Sequence, residues 1–83
     1  MNGVNGNLNL VKGDGNNILG SNNAAQGISN NIWGNSNGIF GTLNLVKGNQ
    51  NGVVGFKNFV NGNDNNIGGN LNGVFGSRNS VLG

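Results

Sequence analysis

Asn35-Ser36-Asn37-Gly38-Ile39-Phe40-Gly41, followed without a break by Thr42-Leu43-Asn44-Leu45-Val46-Lys47-Gly48, is one pattern of seven written twice: Asn third, Ile or Val fifth, Gly seventh. Extended in both directions, the pattern takes in the whole chain. Gly returns at 6, 13, 20, 27, 34, 41, 48, 55, 62, 69, 76 and 83, and Asn stands four residues before each of them, from Asn2 to Asn79. Val or Ile stands two before each Gly, with Ala25 the only substitute. Random low-complexity sequence does not hold three columns in phase through twelve periods.

A heptad invites a coiled-coil reading, but that needs two apolar columns on good helix formers, and here one column in seven is Gly and another is Asn. In extended backbone, residues two apart share a side, so Asn and Val/Ile point together while the residues flanking Val/Ile point the other way. Each heptad therefore reads as a short strand with a turn at its Gly. One heptad cannot bury its single aliphatic residue, so neighbours must stack, as in solenoids. Stacking puts like residues one coil apart at the inter-strand spacing of ~4.8 Å, where Asn amides bond to one another in a ladder. Asn9, Asn16, Asn23, Asn30, Asn37, Asn44, Asn51, Asn58, Asn65 and Asn72 are the expected ladder. The Asn-Gly steps at Asn2, Asn5, Asn37, Asn51, Asn61 and Asn72 would mark hairpin turns in isolation, but a seven-residue phase does not suit antiparallel hairpins.

The variable columns bear on coil length. Odd heptads, the first ending at Gly6, carry Met1, Leu19, Ile28, Trp33, Leu43, Leu45, Phe56, Phe59, Leu71 and Phe75; even ones carry Leu8, Leu10, Phe40, Val54 and Leu82. Ten against five is what two heptads per coil predicts if the two sides differ, whereas sorting by thirds, for a coil of twenty-one, gives three, seven and five. The expected fold is all-β: a parallel β-solenoid, or β-roll, of two heptads per coil and about six coils, with uncapped ends and residues 1–83 as one domain. By the inter-strand spacing the rod should be about 28 Å long. A second period of 35 relates residues 7–13 to 42–48 and residues 35–41 to 70–76, an odd number of heptads that should place matching motifs on opposite sides.

The x-x-Asn-x-Val-x-Gly register resembles the heptads of the ice-recrystallisation-inhibition antifreeze proteins of cold-tolerant grasses. That resemblance spans the chain through three columns. It implies a left-handed β-roll with Val inside, Asn ladders at the turns, and a flat ice-binding face rich in Thr, Ser and Val. In this chain the columns beside Val/Ile hold no Thr, and Thr42 is the only one.

Composition narrows function. With no His, Cys, Glu or Tyr, and with Asp14 and Asp64 fifty residues apart, no acid-base, nucleophile or metal-ligand set is in view, so neither an enzyme nor a cofactor is expected. Absence of cysteine leaves the redox compartment open. The net charge of +2 comes from Lys12, Lys47, Lys57 and Arg78 scattered along the array, which supports no nucleic-acid partner. The start of the chain lacks the basic and apolar stretches of a secretory leader, and no membrane insertion is expected.

The partner expected is the protein itself. A copy placed after Gly83 would continue the register with one position skipped, and open parallel coils are templates for addition. A structural subunit growing end to end and pairing laterally follows, with Leu19, Ile28, Trp33, Leu43, Leu45, Phe56, Phe59, Leu71 and Phe75 as the self-association surface and Trp33, Phe59 and Phe75 as anchors. Ice or another surface is the alternative target, and a stalk segment of an adhesin or tail fibre the third reading.

Overall fold

A computed structural model describes residues 1–83. The chain forms twelve strands, numbered in order: β1 (Gly3–Asn5), β2 (Leu10–Asp14), β3 (Asn17–Leu19), β4 (Ala24–Ile28), β5 (Asn31–Trp33), β6 (Gly38–Thr42), β7 (Leu45–Lys47), β8 (Gly52–Phe56), β9 (Phe59–Asn61), β10 (Asn66–Asn70), β11 (Gly73–Phe75) and β12 (Ser80–Leu82). Odd-numbered strands make one six-stranded sheet and even-numbered strands a second, every neighbouring pair being parallel. Register partners are fourteen residues apart throughout, as in Ile18 with Ile32 and Val53 with Ile67. The coil is thus fourteen residues, two heptads, and six coils stack into a β-solenoid whose Cα trace measures 29 × 19 × 12 Å.

The interior is one residue thick from each sheet. Ile18, Ile32, Val46, Val60 and Val74 come from the odd sheet, and Ala25, Ile39, Val53 and Ile67 face them from the even sheet; all nine are 0–5% exposed. In the first coil Val4 is 48% exposed and Val11 only partly covered, as is Val81 in the last coil. A core that holds by stacking thins toward the ends, although Val74 in the terminal odd strand is still 5% exposed. Ile32→Ala removes a fully buried side chain and is expected to cost about 2–5 kcal/mol, read as a lower urea midpoint at unchanged slope.

The corners are built from more than glycine. Each seventh-position Gly of the repeat has φ between 112° and 148°, and the residue immediately before each interior Asn takes the left-handed conformation, as in Ser36 (φ 59°), Leu43 (φ 60°) and Asp64 (φ 59°). The sequence placed the turn at Gly alone; the backbone divides it between Gly and the residue two further on. Two successive departures from extended backbone turn the chain sharply enough to close a coil in fourteen residues.

The two halves of a coil also differ. Strands of the odd sheet have three residues, while five strands of the even sheet have five and continue past their Gly. After the odd strands, side-chain amides intercept the backbone: Asn35, Asn49 and Asn63 each accept on Oδ1 the N–H of the residue one coil earlier, namely Ser21, Asn35 and Asn49, at 2.9–3.0 Å. At the equivalent place in the other half stand Ile28, Thr42, Phe56 and Asn70, none of whose side chains takes up a backbone N–H, and there the backbone stays in the sheet.

Candidate functional site

The buried Asn columns explain why the coils stay in register. Asn44 donates Nδ2 to Asn30 Oδ1 (3.0 Å) and to the Gly55 carbonyl (2.9 Å), while its own Oδ1 accepts the Asn58 backbone N–H (3.0 Å) and Asn58 Nδ2 (3.1 Å). Both donors and both acceptor positions of the amide are used, which makes burial of this polar group tolerable. Asn16, Asn23, Asn30, Asn37, Asn44, Asn51, Asn58 and Asn65 are 1–2% exposed. Asn9 and Asn72 belong to the same columns in the outer coils and are partly covered. The ladder has a direction, since each Oδ1 faces the following coil and each of these Asn backbone N–H groups faces the preceding one.

The exterior has two sheet faces and two edges. On the odd sheet, Leu19, Trp33, Leu45, Phe59 and Phe75 run along the outer face. Phe59 and Phe75 meet edge to face with ring centroids 5.5 Å apart, and the Lys47 ammonium lies 4.7 Å from the centre of the Trp33 ring. On the even sheet, Leu10, Phe40, Val54 and Leu82 point outward. Gly68 pairs with both Val54 and Leu82 and leaves a shallow notch of about 200 Å³ between them. Along one edge stand Ile28, Leu43, Phe56 and Leu71, with Lys57 over the Phe56 ring at 5.1 Å; along the other stand Asn35, Ser36, Asn49, Gln50, Asn63, Asp64 and Arg78, with Leu8 the one large apolar member.

The nine apolar residues expected to form one association surface therefore divide. Leu19, Trp33, Leu45, Phe59 and Phe75 share a face; Ile28 and Phe56 end strands of the other sheet; Leu43 and Leu71 sit at corners. The two faces are alike in apolar content, and the excess in odd heptads comes from the edges, one apolar and one polar. The exposed column of Asn35, Asn49 and Asn63 was not read from the sequence as a second ladder. Its signal is a fourteen-residue recurrence, Asn7, Asn35, Asn49 and Asn63 with Ser21 and Ser77 at the remaining places, hidden beneath the stronger period of seven.

No three His, Cys, Asp or Glu side chains come together, and Asp14 and Asp64 lie on opposite edges, fifty residues apart along fourteen-residue coils. Asp14 pairs at 3.0 Å with the amino terminus of Met1, both fully solvated. The four cations are spread over both faces and both edges, so no positive groove forms.

Fold and site together define a repeat protein of the β-solenoid class whose coils are registered by buried asparagine ladders. No protein-family model matches the chain, and no curated protein matches it.

Proposed function

We propose that the chain is a non-catalytic structural subunit that assembles with copies of itself, end to end along the coil axis and laterally through its apolar exterior. One observation carries the reading: fourteen large hydrophobic side chains are exposed, against nine hydrophobic residues buried. A free monomer would hold more large apolar groups in water than out of it, and contiguous exposed apolar surface marks sites of association. The ladder's direction supports axial growth. Any two coil edges of opposite sense offer acceptors to donors at the same spacing, so joining them repeats a contact the coil already makes throughout its length.

The lateral contact fits the odd face, where Trp33, Phe59 and Phe75 provide the rigid aromatic area that dominates interfaces. A face of 29 × 19 Å amounts to on the order of 500 Å² per partner, at the low end for a specific contact, so the assembly draws on many such contacts along a fibril. The polar edge, with its amide column, is the side left to solvent.

Negative-stain electron microscopy of the pure protein over a concentration series tests this. Fibrils are expected, and Trp33→Ser/Phe59→Ser/Phe75→Ser is expected to keep the β-sheet circular dichroism of the parent while raising the concentration needed for assembly by about tenfold or more, the effect of losing a few buried aromatic contacts. Dispersed monomers at millimolar concentration would sink the proposal. The grass-antifreeze likeness, by contrast, would call for Thr along a face, whereas Thr42 stands alone at the end of β6.

A further inference from the structure

The Asn-Gly steps, which do not form hairpins in this fold, stand in two chemically different settings. An Asn-Gly step is prone to spontaneous deamidation because glycine puts no side chain in the way of its own nitrogen. That nitrogen attacks the Asn Cγ and a new C–N bond closes a five-membered succinimide. The Cγ–Nδ2 bond breaks and ammonia leaves with the proton; water then opens the ring to aspartate or isoaspartate. The step requires the glycine N–H free of its hydrogen bond and the Asn side chain free to fold back onto its own backbone.

We infer that Asn61 is a deamidation site of the folded protein, and that the ladder makes Asn37 and Asn51 inert for as long as the coil is intact. Asn61 lies on the outside of β9, exposed, with no side-chain hydrogen bond; only the Gly62 N–H is held, by the Lys47 carbonyl at 2.9 Å. Asn37 is 2% exposed and its amide is fixed by Asn23 Oδ1 (3.2 Å), the Gly48 carbonyl (2.8 Å), and the Asn51 N–H (2.9 Å) and Nδ2 (3.1 Å). The attacking nitrogen is held as well, Gly38 N–H donating to the Asn51 carbonyl at 2.9 Å. Asn51 is bound in the same manner, with Gly52 N–H on the Asn65 carbonyl. At Asn61 one hydrogen bond must open; at Asn37 and Asn51 the stack itself must come apart.

Two consequences differ in kind. Conversion of Asn61 puts a carboxylate beside its register partner Lys47 and takes one unit from the net charge of +2. Conversion of Asn37 or Asn51 replaces a two-donor amide by an acceptor-only carboxylate in a buried column, where the charge has no partner, so a chain damaged there while unfolded cannot regain the stack.

The test is peptide mass mapping with tandem localisation after incubation at mildly alkaline pH, on the unaltered chain at a dilution below that at which it assembles. Folded and denaturant-unfolded samples are compared. Asn61 is expected to convert in the folded sample within about tenfold of its unfolded rate, since only local opening is needed. Asn37 and Asn51 are expected to be at least about a hundredfold slower folded than unfolded, because they open only with the whole stack. Asn61→Gln should remove the folded-state signal and leave the unfolded rates at Asn37 and Asn51 unchanged. Conversion of Asn37 or Asn51 in the folded chain at a rate comparable with Asn61, or an Asn61 that does not convert, would overturn the inference.

Discussion

Asn44→Ala is expected to abolish cooperative folding or to lower the melting temperature by about 20 °C or more. The substitution keeps the Asn44 backbone N–H on Asn30 Oδ1 but removes the amide that joins the next coil. The Asn58 backbone N–H and Nδ2 lose their acceptor, and the Gly55 carbonyl loses a donor, all where Asn58 is 1% exposed. Each buried donor left without a partner costs about 1–3 kcal/mol, and the vacated volume adds to it. A total on the order of 5 kcal/mol rivals the whole stability of a small domain, and 1 kcal/mol shifts the melting temperature by about 4–8 °C at this size. Asn35→Ala provides the contrast. Its Oδ1 takes a backbone N–H on the solvated edge, where water can replace it, so the loss should stay below about 1 kcal/mol. Thermal melts of the two variants side by side measure the difference; equal losses would mean that the buried columns do not hold the coils together.

Gly41→Ala is expected to be worse. Gly41 has φ 139°, a conformation open in practice to glycine alone, and a methyl group there would overlap the carbonyl of Gly55 in the next coil. The coils cannot move apart to make room, because the same spacing sets the sheet hydrogen bonds on both faces. Gly38, three residues earlier, has ordinary extended backbone and nothing within 4 Å of an added methyl. Gly38→Ala should therefore fold, with a gain of about 0.5–1 kcal/mol from the smaller entropy of the unfolded chain. Circular dichroism and size-exclusion chromatography separate the two outcomes, and a folded Gly41→Ala would contradict the close approach of successive coils.

The interior was legible in the sequence because there position dictates chemistry. Next to the carbonyl of Gly55 only a missing side chain fits, opposite Val46 and Val60 only a compact aliphatic one, and in the column of Asn44 only a group with two donors and two acceptor sites on one short stem. The exterior was less legible because no such demand operates. Counting heptads put Ile28 and Phe56 with Trp33, yet both extend the opposite sheet, where each pairs in register with Thr42. The left-handed residues before each ladder Asn were hidden for a related reason. Leu43, Lys57 and Arg78 are not residue types that announce such a conformation; the closed coil imposes it on them.

Seen from inside, the two halves of a coil ask for the same three residues. A gain or loss of seven positions would leave every inner column aligned and transpose the two flanks of the rod beyond the splice, while fourteen would only change its length. The echo that links Lys12 to Lys47 and Phe40 to Phe75 has a step of 35, an odd number of sevens, and the members of each pair do face away from each other, one on each sheet. Two properties are thereby encoded independently in such an array: divisibility by seven preserves the fold, and the parity of the quotient decides which flank inherits the next set of outer side chains.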